Sequence, residues 1–520
     1  MFRYSLRLGA ALTTGLLVTG AAIAATGPIK PHVVTGGGAA VHQAHPLTNP
    51  TARAILVGGG ATLPALAYMG PFPTASGAPV KFLAKPSDAK SVFGYFDSSD
   101  KLTVQYCQTG SGYGKTVLNG AANAANPVTA IGQEAVNLTC TNGSPVAGTN
   151  GFQGPQTGTG FPLTDPDFAG SDSPITQTDY TNFTTYKHTD HNTIQPDRGE
   201  AVQVPFVVGS VALLYNNPDL ANKQISLSAS QLCNIFNGTY TNWSQLGYKS
   251  RPLTFVYRSD GSGTTFSFSN YLVKATSCKV GTAALSVSQT WAGSTPVVVE
   301  SPVPSNSASA SGNGNVTSCI VSNTSCATGT GGAGTIGYVE TANAKAALNA
   351  ASGIEYATIG GKDPVKNLPE AANKLANTID VDKVVQFNQG GLATAVALTT
   401  APTTAGCLTF VDPGAYNAIG TGYPIVAVSN LDFGQKANGS TNSANLQKLA
   451  KIQFASTATV YNNKYVIGGT SASSNAIVID SIDAATASTG TGTTGYSTLP
   501  LVYSPSTNTV VSKAIGCIGA

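Results

Sequence analysis

Charge is scarce in this chain. Only 10% of its 520 residues are Asp, Glu, Lys or Arg, against roughly a quarter in an average soluble domain. The formal net charge is +3, which excludes the broad basic surface that nucleic acid or an anionic membrane would require. Any anion site must therefore be local and built from a few groups. The cysteines include no C-x-x-C pair, which argues against zinc ribbons and thioredoxin-like redox chemistry. No cluster of His, Asp and Glu has metal-ligand spacing, so neither a metal nor another cofactor is expected. No internal repeat of fixed length occurs. The one apolar run, Gly9 to Ala24, is diluted by Thr and Gly and falls short of the roughly 18 to 20 strongly apolar residues of a membrane anchor.

That run reads instead as a secretion signal over residues 1–25. Arg3 and Arg7 form its positive start, and Ala22-Ile23-Ala24 offers a small-x-small cleavage site. Without it, 25 basic residues face 24 acidic ones. No cysteine lies near the cleavage site, so a lipid anchor is not expected, and the mature protein belongs in the periplasm or outside the cell. All eight cysteines (Cys107, Cys140, Cys233, Cys278, Cys319, Cys326, Cys407 and Cys517) lie beyond the signal. An even number in an oxidising compartment reads as disulfides. Spacing does not fix the pairing; pairing in chain order is the expectation, with Cys407–Cys517 fastening the C-terminus.

Residues 26–50, rich in Pro, Gly and Ala, read as a flexible leader. Residues 141–164 and 301–334 are dense in Gly, Ser, Thr and Asn and are expected to be surface loops, the second a low-complexity insertion. A third polar stretch covers 484–498. Between them strands alternate with helices. Ala54 to Val57, Leu102 to Tyr106, Val204 to Tyr215 and Leu253 to Tyr257 are apolar β runs. Ser228 to Phe236 and Thr265 to Leu272 have helical patterns. Such strand–turn–helix units favour an α/β fold with ligands bound where helices begin.

The turns carry the chemistry. In Arg258-Ser259-Asp260-Gly261-Ser262-Gly263-Thr264 a strand ends, glycines let the chain turn, and a helix starts. Unpaired first-turn N–H groups and the helix dipole make that start an anion site. The hydroxyls of Ser262 and Thr264 add donors, and Arg258 adds a planar, always-charged fork. Gly58 to Pro64, with Thr62 and Leu63, is a second such turn. Thr109 to Lys115, with Ser111, is a third. Phe168 to Pro174 places Asp172 among small residues. Thr109 to Thr116 also approaches the nucleotide phosphate loop, but Thr replaces its first glycine. Neither Ser111 nor Ser262 sits in G-x-S-x-G, and the nearest candidate bases, His188 and His191, lie in a polar stretch.

Taken together these segments resemble the PstS-type phosphate-binding proteins, most closely their DING branch. The resemblance runs through GGGATLP (58–64), TGSGYGK (109–115), FAGSDSP (168–174), QVPFVVGSVALLYN (203–216), LCNIFNGTYTNW (232–243), VYRSDGSGTTFSF (256–268), GTIGYVE (334–340) and GYPIVAVSNLDF (422–433). It implies a two-lobed, type II periplasmic-binding-protein fold with mixed sheets flanked by helices and a ligand cleft between the lobes. The expected division is lobe 1 over 51–214, lobe 2 over 215–426, and a return to lobe 1 over 427–520. The resemblance further implies inorganic phosphate held by Thr62, Leu63 and Ser111, with Asp172 accepting from the protonated oxygen. Arg258, Ser262, Gly263 and Thr264 would close the cage. Asp260 departs from the DING branch and matches the transporter-type members. A monomer serving an inner-membrane ABC permease, with no enzyme activity, is the expected role. The alternatives are a secreted DING-like phosphomonoesterase and a secreted surface or appendage protein.

Overall fold

A single strand of sixteen residues organises the molecule. In the computed structural model, β4 (Ala201–Asn216) is buried along its whole length. Its sequence, AVQVPFVVGSVALLYN, is a near-continuous apolar run, as expected of a strand covered on both faces. The structure describes residues 54–69, 102–120, 166–185, 198–436 except for a few positions, 440–451, 498–501 and 505–519, with some short segments elsewhere. All of them fall in one compact unit, residues 39–520. The signal, the leader, His188, His191, and most of 141–164 and 484–498 lie outside the described residues.

In chain order the elements that matter here are β1 (Ala54–Gly60), α1 (Ala65–Met69), β2 (Leu102–Cys107), α2 (Ser111–Leu118), β3 (Phe168–Ser171) and α3 (Gln177–Thr185). After β4 come α4 (Ala229–Phe236), β5 (Thr254–Arg258), α5 (Gly263–Thr276), β6 (Ser307–Ala310), α6 (Gly312–Ser322) and β7 (Thr335–Glu340). They are followed by α7 (Thr341–Ala347), β8 (Ile354–Ile359), β9 (Val426–Gly434), β10 (Thr498–Pro500) and α8 (Pro505–Gly516). The strands form one mixed sheet in the order β6-β5-β7-β4-β9-β3-β1-β2, with β8 and β10 also paired to β4. β1 pairs in parallel with β2 and β3, and β5 in parallel with β6 and β7. β4 changes partner along its length. Residues 201–210 pair with β9, and residues 211–216 pair with β7.

Pro205 sits inside this central strand, where a missing N–H would normally break the ladder. The β4–β9 register shifts between Ser429 and Asn430, and Asn430 then faces Pro205. Proline within a sheet is confined to such bulges and to edges. The extra residue, Phe206, belongs to β4.

Two aromatic clusters support the turns on either side. Tyr68, Phe93, Tyr106 and Phe168 pack behind β1, with Tyr68 edge-on to Tyr106 at 5.3 Å between ring centroids. Phe236, Phe268, Trp291 and Tyr338 pack behind β5, with Phe268 stacked on Tyr338 at 4.6 Å. Each cluster sends one hydroxyl forward. Tyr106 donates to the carbonyl of Ala61 (2.9 Å), and Tyr338 accepts from the N–H of Arg258 (3.0 Å).

Disulfides Cys233–Cys278, Cys319–Cys326 and Cys407–Cys517 follow chain order, and Cys107 is also disulfide-bonded. The expectation for 301–334 is overturned. This segment is not a surface loop but supplies β6 and α6. β6 extends the sheet beside β5, and Val316, Cys319 and Ile320 of α6 are fully buried. Their i, i+3, i+4 spacing is a helical stripe obscured by the surrounding Gly, Ser and Asn.

Candidate functional site

The glycine-bearing turns at 58–64, 109–115, 168–174 and 258–264 converge on one buried cluster. At the end of β1, Gly60 adopts φ +131°, and a Cβ placed on it would lie only 2.1 Å from the Gly170 carbonyl oxygen, so no side chain fits. Its carbonyl accepts from the N–H of Gly110 (2.8 Å), while the N–H of Ala61 donates to Gly170 (2.8 Å). The turns at 58–64, 109–115 and 168–174 are thus tied by their backbones. Thr62 emerges from them 5% exposed, and Ser111 and Asp172 are each 1% exposed. The side chain of Leu63 is buried in the core beside them.

From the other side, β5 delivers Arg258 and α5 begins immediately after. Ser262 caps α5, its hydroxyl oxygen accepting from the N–H of Thr265 (3.1 Å). The N–H groups of Gly263 and Thr264 then stand at the helix start without intrahelical partners. Arg258 Nη1 donates to the hydroxyls of Thr62 (3.2 Å) and Thr264 (3.4 Å). The Ser111 hydroxyl donates to Asp172 Oδ2 (3.3 Å) and accepts from the Asp172 N–H (3.1 Å). Gly263 lies directly against both, and the N–H of Gly112 donates to the Gly261 carbonyl (3.3 Å). All eight residues anticipated from the sequence therefore lie at these converging turns.

Two further residues belong here. Ser429 of β9, set opposite Asp172 by the antiparallel β9–β3 register, donates its hydroxyl to Asp172 Oδ1. Asn313, at the start of α6, donates from Nδ2 to the hydroxyls of Thr62 (2.9 Å) and Thr264 (3.3 Å). Lys115, the lysine of the nucleotide-loop-like motif, is turned away. It pairs with Asp179 (2.9 Å) and donates to the Pro174 carbonyl (3.2 Å), so it holds α2 to α3 and offers no charge to a phosphate chain.

Electrostatically the site is polar but nearly balanced. Asp260 grips Arg258 through Nε (2.7 Å) and Nη2 (2.5 Å), and accepts from the N–H of Gly312 (3.0 Å). Burial pushes the Arg258 guanidinium down, but Asp260 outweighs it and holds the group above its ordinary value. Burial likewise pushes Asp260 up, and Arg258 holds it below. With that charge compensated, a bound anion would rest mainly on N–H and O–H dipoles. A family model for a PBP superfamily domain matches residues 83–404.

The chain belongs to the PBP superfamily. The motif likeness to PstS-type proteins agrees with that membership. A phosphate-binding protein from an unknown prokaryotic organism is 34% identical over 120 residues, covering 23% of this chain and 30% of the relative. The alkaline phosphatase L of Pseudomonas aeruginosa is 28% identical over 296 residues, 56% of this chain and 67% of the relative. A solved phosphate-binding protein from Stenotrophomonas maltophilia superposes with a TM-score of 0.48 at 22% identity, covering 88% of this chain and 93% of that one. The match to the first relative thus spans less than a third of that relative's length.

Among the described residues of this PBP superfamily member, three fully buried carboxyl groups have their proton affinity raised chiefly by burial. Asp172 is pushed up to about 6, Asp432 to about 7 and Glu340 to about 8. At Asp172 the Ser429 and Ser111 hydroxyls and Arg258 oppose the rise. A folded-state value above the unfolded one means stability that is present at low pH and lost as pH rises through the folded value. The unfolding free energy of ligand-free protein should therefore fall between about pH 5 and pH 8. Each group contributes up to about 1.4 kcal/mol per pH unit in its own window. Asp260, shifted the other way, acts below about pH 4 and does not interfere. Urea midpoints across this range test the sign, and Glu340→Gln should flatten the upper part. A midpoint that climbs with pH would contradict the assignment.

Proposed function

We propose that this protein captures inorganic phosphate between two lobes, as the solute receptor of a phosphate ABC transporter. The observation that carries the reading is the meeting of Thr62, Ser111 and Asp172 with Arg258 and Thr264 in one buried cluster. We divide the chain into lobe 1 (51–214 and 427–520) and lobe 2 (215–426). The change of partner along β4 near Ser210 and the start of β9 at Val426 support that division. Donors then come from both lobes, and the anion would be held where the two lobes meet. Delivery to an inner-membrane ABC permease, and an exported location, belong to the same reading. No described helix is long and apolar enough to cross a membrane.

Selectivity rests on Asp172. Hydrogen phosphate keeps one proton near neutral pH and can donate it to this carboxylate, whereas sulfate meets it acceptor to acceptor in a desolvated site. Leaving such a buried group unsatisfied costs about 1–3 kcal/mol or more, a ten- to hundredfold preference. The likeness to an alkaline phosphatase raises a second reading, phosphomonoester hydrolysis. Burial weighs against it, because Thr62, Ser111, Asp172, Arg258 and Thr264 are each at most 5% exposed. A cage that encloses an ion on all sides leaves no path for an ester substituent.

Calorimetry on ligand-stripped protein with phosphate, sulfate and a phosphate monoester tests both. Phosphate should bind at roughly micromolar affinity or tighter, sulfate at least tenfold more weakly, and the monoester undetectably. Equal affinities for phosphate and sulfate would remove the role of Asp172. Metal-dependent turnover of a chromogenic monoester, lost on Arg258→Ala, would favour the phosphatase.

A further inference from the structure

Two hydroxyls in the site have no freedom left. A threonine oxygen has two lone pairs and one proton. Thr62 Oγ1 lies 3.2 Å from Arg258 Nη1 and 2.9 Å from Asn313 Nδ2, and Thr264 Oγ1 lies 3.4 Å and 3.3 Å from the same two atoms. Neither nitrogen can accept a hydrogen bond. Each nitrogen carries two protons, one for each hydroxyl, so the four groups close a square in which both oxygens are saturated as acceptors. The orientation of the amide is fixed independently: Asn313 Oδ1 accepts from the N–H of Glu340 (3.2 Å), a group that can only donate. The proton of each threonine must then point away from Asn313 and Arg258.

We infer that Asn313 is a specificity-determining positioning residue, which together with Arg258 makes the hydroxyls of Thr62 and Thr264 obligate donors to the bound anion. The inference rests on the phosphate reading and deepens it. Neither hydroxyl can accept the one proton of hydrogen phosphate, so that proton is directed to Asp172. Asn313 is 1% exposed and supplies this constraint at no cost in net charge. Without it, each hydroxyl regains a free lone pair and can rotate away from the ligand.

The test is calorimetry of the full chain with inorganic phosphate. Asn313→Ala should weaken binding about ten- to thirtyfold, as two oriented hydrogen bonds of about 1 kcal/mol each are lost. Asn313→Asp, which would accept the threonine protons, should weaken it at least about a hundredfold. A merely structural role would produce the same factor whatever surrounds residue 313. Repeating Asn313→Ala in a Thr62→Val, Thr264→Val background separates the two, since coupled groups are non-additive. The expected additional loss there is under about threefold. If the full factor persists, or if Asn313→Asp and Asn313→Ala bind like wild type, the inference falls. Wild-type protein that fails to bind phosphate overturns the functional reading instead.

Discussion

Gly263→Ala is expected to weaken phosphate binding at least about a hundredfold, while Gly261→Ala two residues earlier changes it less than about threefold. The contrast is steric. A Cβ on Gly263 would lie 2.2 Å from Asp172 Cβ, 2.8 Å from its Cα and 2.7 Å from Ser111 Oγ. No real contact is so short, and the first two atoms cannot swing aside. A Cβ on Gly261 meets only Gly112 Cα, at 3.7 Å, an ordinary contact. Gly263 is the first residue of α5 and carries no left-handed backbone angle, so alanine suits the helix itself. The clash therefore acts between the turn of Arg258 and the turns of Ser111 and Asp172. Overpacking of this kind costs about 1–3 kcal/mol, and holding the turns apart also forfeits donors to the ion. Calorimetry with phosphate and urea unfolding of both variants measure the split. Gly263→Ala with wild-type affinity would mean that these turns do not close on a common ligand.

Why so much of this site could be read from residue order is a matter of where its parts lie. Thr62, Ser111, Asp172 and Arg258 each sit at the carboxyl end of a parallel strand, where a glycine-bearing turn leads on. That local pattern survives without knowledge of the tertiary structure. Asn313 and Ser429 carry no such mark. Asn313 lies in Ser-Gly-Asn-Gly-Asn, whose composition suggests a solvated loop, and its burial depends on β6 pairing with β5 some fifty residues earlier in the chain. The clue was the apolar spacing of Val316, Cys319 and Ile320, which polar neighbours masked. Ser429 is one polar residue in the apolar strand VAVSNLDF. It reaches Asp172 because β9 pairs antiparallel with β3, with Asn430 opposite Ser171, and that register is set by the partner strand. The same limit applies to β4. Its apolar run announced a buried strand, but only the pairing reveals that one strand serves β9 and β7 in turn.

Arg258→Ala should lower affinity for phosphate by about a thousandfold or more and destabilise the protein by about 3 kcal/mol or more. The guanidinium has five N–H groups. Two bind Asp260, and the pair on Nη1 bind Thr62 and Thr264. One remains on Nη2 for the anion. Removing the fork loses a charge-assisted bond worth about 1.5–3 kcal/mol. It also frees Thr62 and Thr264 to reorient and leaves Asp260 without its cation, and breaking a buried pair from one side typically costs about 3–5 kcal/mol. An unpaired Asp260 carboxylate would then repel the incoming dianion. Arg258→Lys separates geometry from charge. Lysine keeps the cation but has no planar fork and only three protons on one atom, so it cannot satisfy both Asp260 oxygens and both hydroxyls. It should retain much of the stability yet bind phosphate about a hundredfold more weakly than wild type. If lysine binds as tightly as arginine, net charge alone suffices, and the account of a cage built from oriented donors is wrong.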